Sequence, residues 1–425
     1  MDAVAGSAPL HRLARVTAPP PDATARSGFR LLWSSTAASN LADGMALVAL
    51  PLLALEGGAA PAGVAIVTVA MTLAWPLVGL QAGWFVDRFP KRVILLAGNL
   101  ARGAAFGGVA VWALLGTAPL WAIVAAAAVY GLGETLVDTS LNASIPAVVP
   151  LERRTRANSA IEGAITVTNG LVGRPLAGAL IGLGFVVTLG SVALLYVAGA
   201  ALALAIVALS APAAAGEEGS PRARVSLREG VATLWRHPTL RNLTILTSLM
   251  NLVWSMFEAL FVVYAVAPGP LGLTPTAYGL VLGLVALGGI GASVVAPVLV
   301  RRAPTGLLLF VDTVGTLMLV LPVALGAPLW AVVAGIVLAV VGSTLWRIIV
   351  STYRQQEIDE QLLGRVYAAY RVISWGSLPI GAGIAAVVAA VAGVVAVFWV
   401  ASGIAAAGAV LYLVLIARNP PRLDR

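Results

Sequence analysis

Six ionisable residues interrupt the long apolar runs of this chain: Asp43, Glu134, Asp138, Arg174, Glu258 and Arg347. A charge near the centre of a bilayer costs at least about 2.5–3.5 kcal/mol on insertion scales, so each is a functional candidate. The chemistry open to them is proton carriage or ion pairing. An apolar site favours a protonated carboxyl, and a neighbouring guanidinium favours the carboxylate. Asp43 falls near the middle of the first apolar run. Glu134 falls near the middle of the fourth, with Asp138 one turn further on and on the same helical face. Glu258 lies in the outer part of the seventh run and Arg347 in the inner part of the tenth. Arg174 lies at a depth similar to Asp43 and Glu134. The expectation is that Arg174 pairs with one of these two carboxylates, and that protonation releases the pair and couples proton movement to a change of state. The competing expectation is a static structural ion pair.

Other side chains in the runs carry less. Arg102 is expected to pair with an acid or to reach the inner side. Asp312 is expected to cap or pair locally. Glu162 and Arg371 are expected near the inner interface, with their charged ends in water. Trp75, Trp254, Trp346 and Trp375 could line an apolar pocket or serve packing.

The elements that hold these residues are apolar helices. The chain has 425 residues, 60% hydrophobic and 10% charged, with a mean hydropathy of +0.96. Soluble domains carry roughly 25% charge. A membrane-crossing helix needs about 20 apolar residues. Continuous apolar runs favour helices over the alternating strands of a barrel. Twelve spans are expected, near 30–55, 61–86, 93–115, 119–148, 159–183, 187–211, 241–266, 276–300, 306–326, 328–352, 367–391 and 396–417. Six connectors (56–60, 116–119, 184–190, 267–275, 326–329 and 393–396) hold no Lys or Arg. The other five and both tails hold 22 of the 26 basic residues. The exceptions are Arg102, Arg174, Arg347 and Arg371. This alternation is the positive-inside pattern and puts both termini on the inner, cytoplasmic side. Residues 1–28 read as a flexible cytoplasmic tail, 29–211 and 241–417 as two six-helix bundles, 212–240 as a cytoplasmic linker and 418–425 as a second tail.

Several functions are excluded. There is no Cys, so disulfides and thiolate chemistry are absent. The two His residues, His11 and His237, fall outside the spans, so metalloprotease and His-dependent acyl-transfer chemistry lack parts and no enzyme is expected. No GxxxxGK[ST] loop is present, so the chain cannot hydrolyse ATP as a P-loop transporter. The net charge of +8 is spread over one face, which suits an anionic inner leaflet rather than nucleic acid. No cofactor or metal is expected.

The two halves resemble each other. Val86-Asp-Arg-Phe-Pro-Lys91 follows the second run and Val300-Arg-Arg-Ala-Pro-Thr305 the eighth. Arg156 and Arg365 occupy matching places after the fourth and tenth. Internal repeats mark secondary transporters, whose sites lie between the halves near mid-membrane. Pairs of glycines four apart (Gly79/Gly83, Gly103/Gly107, Gly178/Gly182 and Gly279/Gly283) allow close helix packing.

The connector Gly83-Trp-Phe-Val-Asp87-Arg88-Phe-Pro90-Lys91-Arg92 is the strongest local motif. It resembles the Gly-x-x-x-Asp-Arg-x-Gly-Arg-Arg/Lys signature of the major facilitator superfamily, with Pro90 at the second glycine. With Ser39-Asn-Leu-Ala-Asp43-Gly, Pro150-x-Glu152 and Arg156-Ala-Asn158, it is similar to the enterobactin-exporter-like branch. The resemblance implies an all-α membrane protein, with twelve transmembrane helices in two pseudo-symmetric six-helix bundles. It implies a gate latch at Gly83, Asp87, Arg88, Lys91 and Arg92. It also implies a central cavity lined by the first, fourth, seventh and tenth spans, where Asp43, Glu134, Asp138, Glu258 and Arg347 would converge. Gly170-Leu-Val-Gly173-Arg174-Pro175-Leu-Ala-Gly178-Ala179 resembles the Gly-x-x-x-Gly-Pro-x-x-Gly-Gly motif of the superfamily's drug/proton antiporters. Gly170, Pro175 and Gly178 match; Arg174 and Ala179 depart. The bend at Pro175 should survive.

The expected function is export of a small hydrophobic or amphipathic molecule (a drug, siderophore or secondary metabolite) by alternating access with proton antiport. Proton-coupled uptake and a non-transporting sensor of the same fold are the alternatives. The expected setting is a bacterial inner membrane, as a monomer with a small-molecule substrate, protons and anionic lipids as partners.

Overall fold

The structure, a computed structural model, describes residues 21–116, 118–149, 153–209, 227–417 and 420–421. The side chains of a few helix residues, Gly83 and Asp87 among them, lie outside that set. So do His11, Pro150, Glu152 and most of both the expected N-terminal tail and the linker.

The first half holds α1 (Pro21–Glu56), α2 (Pro61–Arg88), α3 (Lys91–Leu114), α4 (Leu120–Val148), α5 (Arg154–Ile165), α6 (Arg174–Ile181) and α7 (Phe185–Leu209). A π-helical stretch, Thr166–Gly173, joins α5 to α6, so the three form one span. A short amphipathic helix, α8 (Leu227–Arg236), precedes the second half: α9 (Pro238–Ala265), α10 (Pro275–Arg302), α11 (Thr305–Ala324), α12 (Leu329–Glu357), α13 (Glu360–Ala392) and α14 (Val394–Leu415). Twelve spans are long and apolar enough to cross a membrane. No strand occurs among the described residues.

The two ends of the bundle turn by different chemistry. Gly58, Gly116, Gly184, Gly272, Gly326 and Gly393 have φ between 59° and 121°. One sits in each of the six Lys/Arg-free connectors. Glycine adopts this left-handed conformation without a Cβ clash, so it closes a tight turn where no charged side chain is needed. The basic connectors after α2 and α10 instead carry an extended residue followed by proline: Phe89-Pro90 and Ala303-Pro304. Proline cannot continue the preceding helix but suits the start of the next.

The bend in the fifth span takes a specific form. Pro175 has no N–H for the carbonyl one turn before it, and its ring crowds that carbonyl. The chain answers with the π-helical stretch directly before Arg174-Pro175.

The apolar core is asymmetric. Toward the glycine-turned end, a single cluster joins both halves, running from Met45 and Val64 through Phe106 and Tyr196 to Phe257, Tyr278 and Phe398. Toward the basic end it splits. One cluster around Leu95, Leu141 and Ile161 belongs to the first half, and one around Leu246, Trp346 and Tyr412 to the second. The halves meet along α2 with α13 and α9, and along α6 with α10. Gly178 and Gly279 face each other there; a Cβ on either would lie 3.1–3.2 Å from the other's Cα. Among the described residues, α4 and α12 share no such seam. The halves are thus packed together at the glycine-turned end and part at the basic end.

Candidate functional site

The buried face of α3 positions the first group. Leu95, Asn99, Arg102, Phe106 and Val109 recur at helical spacing on that face. Two polar side chains therefore sit in an otherwise apolar stripe. Arg102 is 0% and Asp43 4% exposed. Arg102 Nη1 donates to Asp43 Oδ1 at 2.7 Å. The Tyr196 hydroxyl donates to the same oxygen at 2.7 Å. Arg102 Nη2 donates to Asn99 Oδ1 at 2.6 Å, and Ser39 Oγ donates to that oxygen at 3.1 Å. The guanidinium carbon also lies 4.4 Å from the centre of the Tyr196 ring, a cation–π contact. Four elements (α1, α3, α4 and α7) make the room. Gly133 on α4 is needed beside the arginine stem, since a Cβ there would lie 2.8 Å from Arg102 Cγ and Cδ. Desolvating two charges is costly, and the added donors offset that cost.

Beside this pair lies a cavity of about 190 Å³, lined by Asp43, Arg102, Glu134, Asp138, Asn169 and Trp75 among others. Glu134 is half-buried, and its Oε2 accepts from Trp75 Nε1 at 2.9 Å. Three carboxyl groups thus face the cavity beside a single guanidinium, an acidic balance in a low-dielectric setting. Such a site suits protons and cations.

Arg174 is elsewhere. It lines a second cavity of about 80 Å³ with Glu258, Tyr278, Trp254, Phe257 and Thr72, between the halves. The expected pairing of Arg174 with Asp43 or Glu134 is therefore corrected. Asp43 belongs to Arg102, Glu134 to Trp75, and Arg174 shares its cavity with Glu258. Depth along a span is legible from residue counts, but direction around the helix is not. The π-helical stretch packs more residues into each turn and so rotates the face on which Arg174 lies.

The other candidates disperse. Arg347 is exposed on α12 and lines neither cavity. The convergence of charges from four spans is thus split: Asp43, Glu134 and Asp138 share one cavity, Glu258 lies in the other with Arg174, and Arg347 joins neither. Asp312 is buried against Gly342, with Oδ1 lacking a hydrogen-bond partner. Glu162 is exposed. Arg371 is half-buried. It sits three turns into α13, over the rings of Trp75 and Trp375. Trp346 is buried and donates to Thr247 Oγ1 at 2.9 Å, a packing role. In the connector after α2, Lys91 Nζ donates to the carbonyl of Ala143 near the end of α4, at 2.7 Å. Cations favour such helix C-terminal carbonyls. Arg88 and Arg92 are exposed. Gly170 packs on Ala286, Pro175 on Gly283 and Gly178 on Gly279, so the antiporter-like motif forms the seam with α10.

Two signals for these placements stand in the sequence. The Asn99–Arg102 spacing on an apolar stripe identifies Arg102 as the buried cation. The run Ala118-Pro-Leu-Trp-Ala122 recurs as Ala327-Pro-Leu-Trp-Ala331. It aligns α4 with α12, both of 29 residues. Gly133 then corresponds to Gly342 and Asp138 to Arg347.

The sequence profile of the Major Facilitator Superfamily matches residues 32–382. The chain is 26% identical over 367 residues to an MFS-type transporter, y4rN, of Sinorhizobium fredii, covering 85% of this chain and 88% of that one. It is also 26% identical over 393 residues to the multidrug efflux pump Tap of Mycolicibacterium fortuitum, covering 88% and 92%. Among solved structures, the nucleoside transporter NupG superposes with a TM-score of 0.74 at 11% identity, covering 92% of this chain and 100% of that one. A bacterial homologue of the iron transporter ferroportin, in an inward-facing state, superposes with a TM-score of 0.73 at 18% identity, covering 91% and 98%. At these identities the two structures speak to the fold.

Proposed function

The chain belongs to the Major Facilitator Superfamily and is a multi-pass membrane transporter, and from that premise we propose that it exports a small amphipathic molecule in exchange for protons. The basic end is cytoplasmic and both termini lie on that side, because the basic connectors favour retention there. The arrangement, joined at the glycine-turned end and parted at the basic end, is then an inward-facing state, ready to load from the cytoplasm. Two six-helix bundles, 29–211 and 241–417, rock about the seam of α2 with α13 and α6 with α10.

One observation carries this reading: an acidic cavity in the first bundle, where Asp43, Glu134 and Asp138 outnumber the one guanidinium, Arg102, in the described lining. Glu134 is the proton carrier. Its carboxylate is held by an indole N–H rather than a counter-charge, so gain of a proton removes the local charge excess. The Asp43–Arg102 pair is the fixed element that keeps α1, α3 and α7 in register. A substrate entering from the cytoplasm displaces the proton, and a proton returning from outside resets the carrier. The similarity to a multidrug efflux pump agrees with outward transport.

Compound accumulation in cells with and without the protein tests this, each with and without an uncoupler. Export predicts lower accumulation that the uncoupler restores, and loss of that effect in Glu134→Gln. Higher accumulation in cells with the protein would instead mark uptake, and unchanged pH dependence in Glu134→Gln would remove the proton role.

A further inference from the structure

A third cavity, of about 140 Å³, lies between α2 and α13, with Thr139 of α4 in its wall. It shares Trp75 and Trp375 with the acidic cavity, so these two indoles form the partition between them. The rings meet edge to face, 4.7 Å between centres. Against them rests Arg371. Its guanidinium carbon is 4.4 Å from the Trp375 ring centre, 4.7 Å from Trp75 and 5.9 Å from Tyr367. No carboxylate forms an ion pair with Arg371 among the described residues. Its Nη2 is buried without a hydrogen-bond partner.

An intramembrane arginine usually pairs with an acid or with backbone carbonyls. Here two indole faces hold the cation, and Tyr367, at the edge of the group, also carries the Arg354 guanidinium at 4.9 Å. Aromatic faces grouped in this way recognise quaternary ammonium and guanidinium groups through the ring quadrupole. One wall, Trp75, also holds Glu134 by hydrogen bond. The cage therefore opens onto the carboxyl that would neutralise a bound cation.

We propose that Trp75, Trp375 and Tyr367 form the binding cage for the cationic group of an organic-cation substrate, and that Arg371 occupies this cage as an internal place-holder until substrate displaces it. This deepens the transport reading above and rests on it. The place-holder keeps the partition closed over the acidic cavity in the empty protein. An arriving lipophilic cation replaces the guanidinium on the rings, and its charge comes to lie beside Glu134. Displaced, Arg371 is close enough to the parting of the halves to reach water along its stem.

The test is binding of tetraphenylphosphonium to the full-length purified protein in detergent, measured by equilibrium dialysis. If Arg371 fills the cage about nine-tenths of the time, removing it tightens apparent affinity about ten-fold, since affinity scales with the competent fraction. Arg371→Gln and Arg371→Met should both show this gain; the second keeps the aliphatic stem. Arg371→Lys should stay near the unaltered protein. Trp375→Ala should weaken binding at least about ten-fold, in keeping with loss of a desolvated cation–π wall. Equal or weaker binding in both Arg371→Gln and Arg371→Met overturns the place-holder. Unchanged binding in Trp375→Ala, or no binding in any variant, overturns the cage. Export of neutral compounds alone would overturn the cage and leave the transport reading standing. Loss of all transport in cells would overturn that reading while the dialysis result still decides the cage.

Discussion

Removing one partner of the Asp43–Arg102 pair should cost more than removing both. Arg102 is fully buried; its Nη1 and Nη2 donate to Asp43 and Asn99, at 2.7 and 2.6 Å, and its Nε has no hydrogen-bond partner. Arg102→Met keeps the stem beside Gly133 but leaves the Asp43 carboxylate to the Tyr196 hydroxyl. Asp43→Asn leaves the guanidinium buried without a counter-charge. Stranding one member of a buried pair costs about 3–5 kcal/mol. Each single variant should therefore lose about 3 kcal/mol or more. The double variant Asp43→Asn/Arg102→Met strands no charge and should lose about 3 kcal/mol or less. The expected coupling is about 3 kcal/mol, at the upper end for contacting residues. Unfolding of the purified protein in mixed micelles, followed by the fluorescence of its 11 tryptophans, gives all four stabilities. A double variant that loses the sum of the two singles would refute the pair as a unit.

Three further outcomes follow from the same geometry. Gly178→Leu would drive a side chain into the Pro275 carbonyl and Gly279, opening the glycine-turned end. In this Cys-free chain, a cysteine at Thr72 should then react about ten-fold faster with an impermeant maleimide added outside, the mark of a shifted population; an unchanged rate would count against that seam. Tyr412→Phe removes a hydroxyl that donates to the Gly306 carbonyl at 2.6 Å. It should cost about 1 kcal/mol of stability with transport unchanged in the cell assay. The Arg365–Glu229 bridge, 2.6 Å long and partly exposed, ties α13 to α8. Glu229→Gln should cost less than about 1 kcal/mol, and less again in high salt; a larger, salt-independent loss in unfolding would contradict a surface role.

The fold was legible because lipid leaves the backbone few options. Hydropathy and alternating basic connectors locate twelve spans, as with 241–266 against Pro238–Ala265, while the helix of the eleventh span starts well before its expected 367. The carboxyl set Asp43, Glu134 and Asp138 was also legible, because each falls at mid-depth in its run. Partner choice was not. Arg102 sits at the middle of α3, whereas Arg174 sits beside Gly279 near the glycine-turned start of α10, and each side chain points in its own direction. For Arg102 that direction follows from its apolar stripe. For Arg174 it depends on the π-helical stretch, which Pro175 hints at without fixing its length. Arg371 is expected at the interface because hydropathy starts its span at 367, whereas α13 begins at Glu360. The earlier start carries Arg371 deeper, onto the two tryptophans.

Transport into liposomes bearing the purified protein, with the membrane potential clamped at zero, tests proton-coupled export most directly. With the interior acidic, a compound whose cellular accumulation the protein lowers should accumulate against its own gradient as protons leave, and Glu134→Gln should abolish this. Accumulation only when the exterior is acidic, or none that follows the proton gradient, would contradict it.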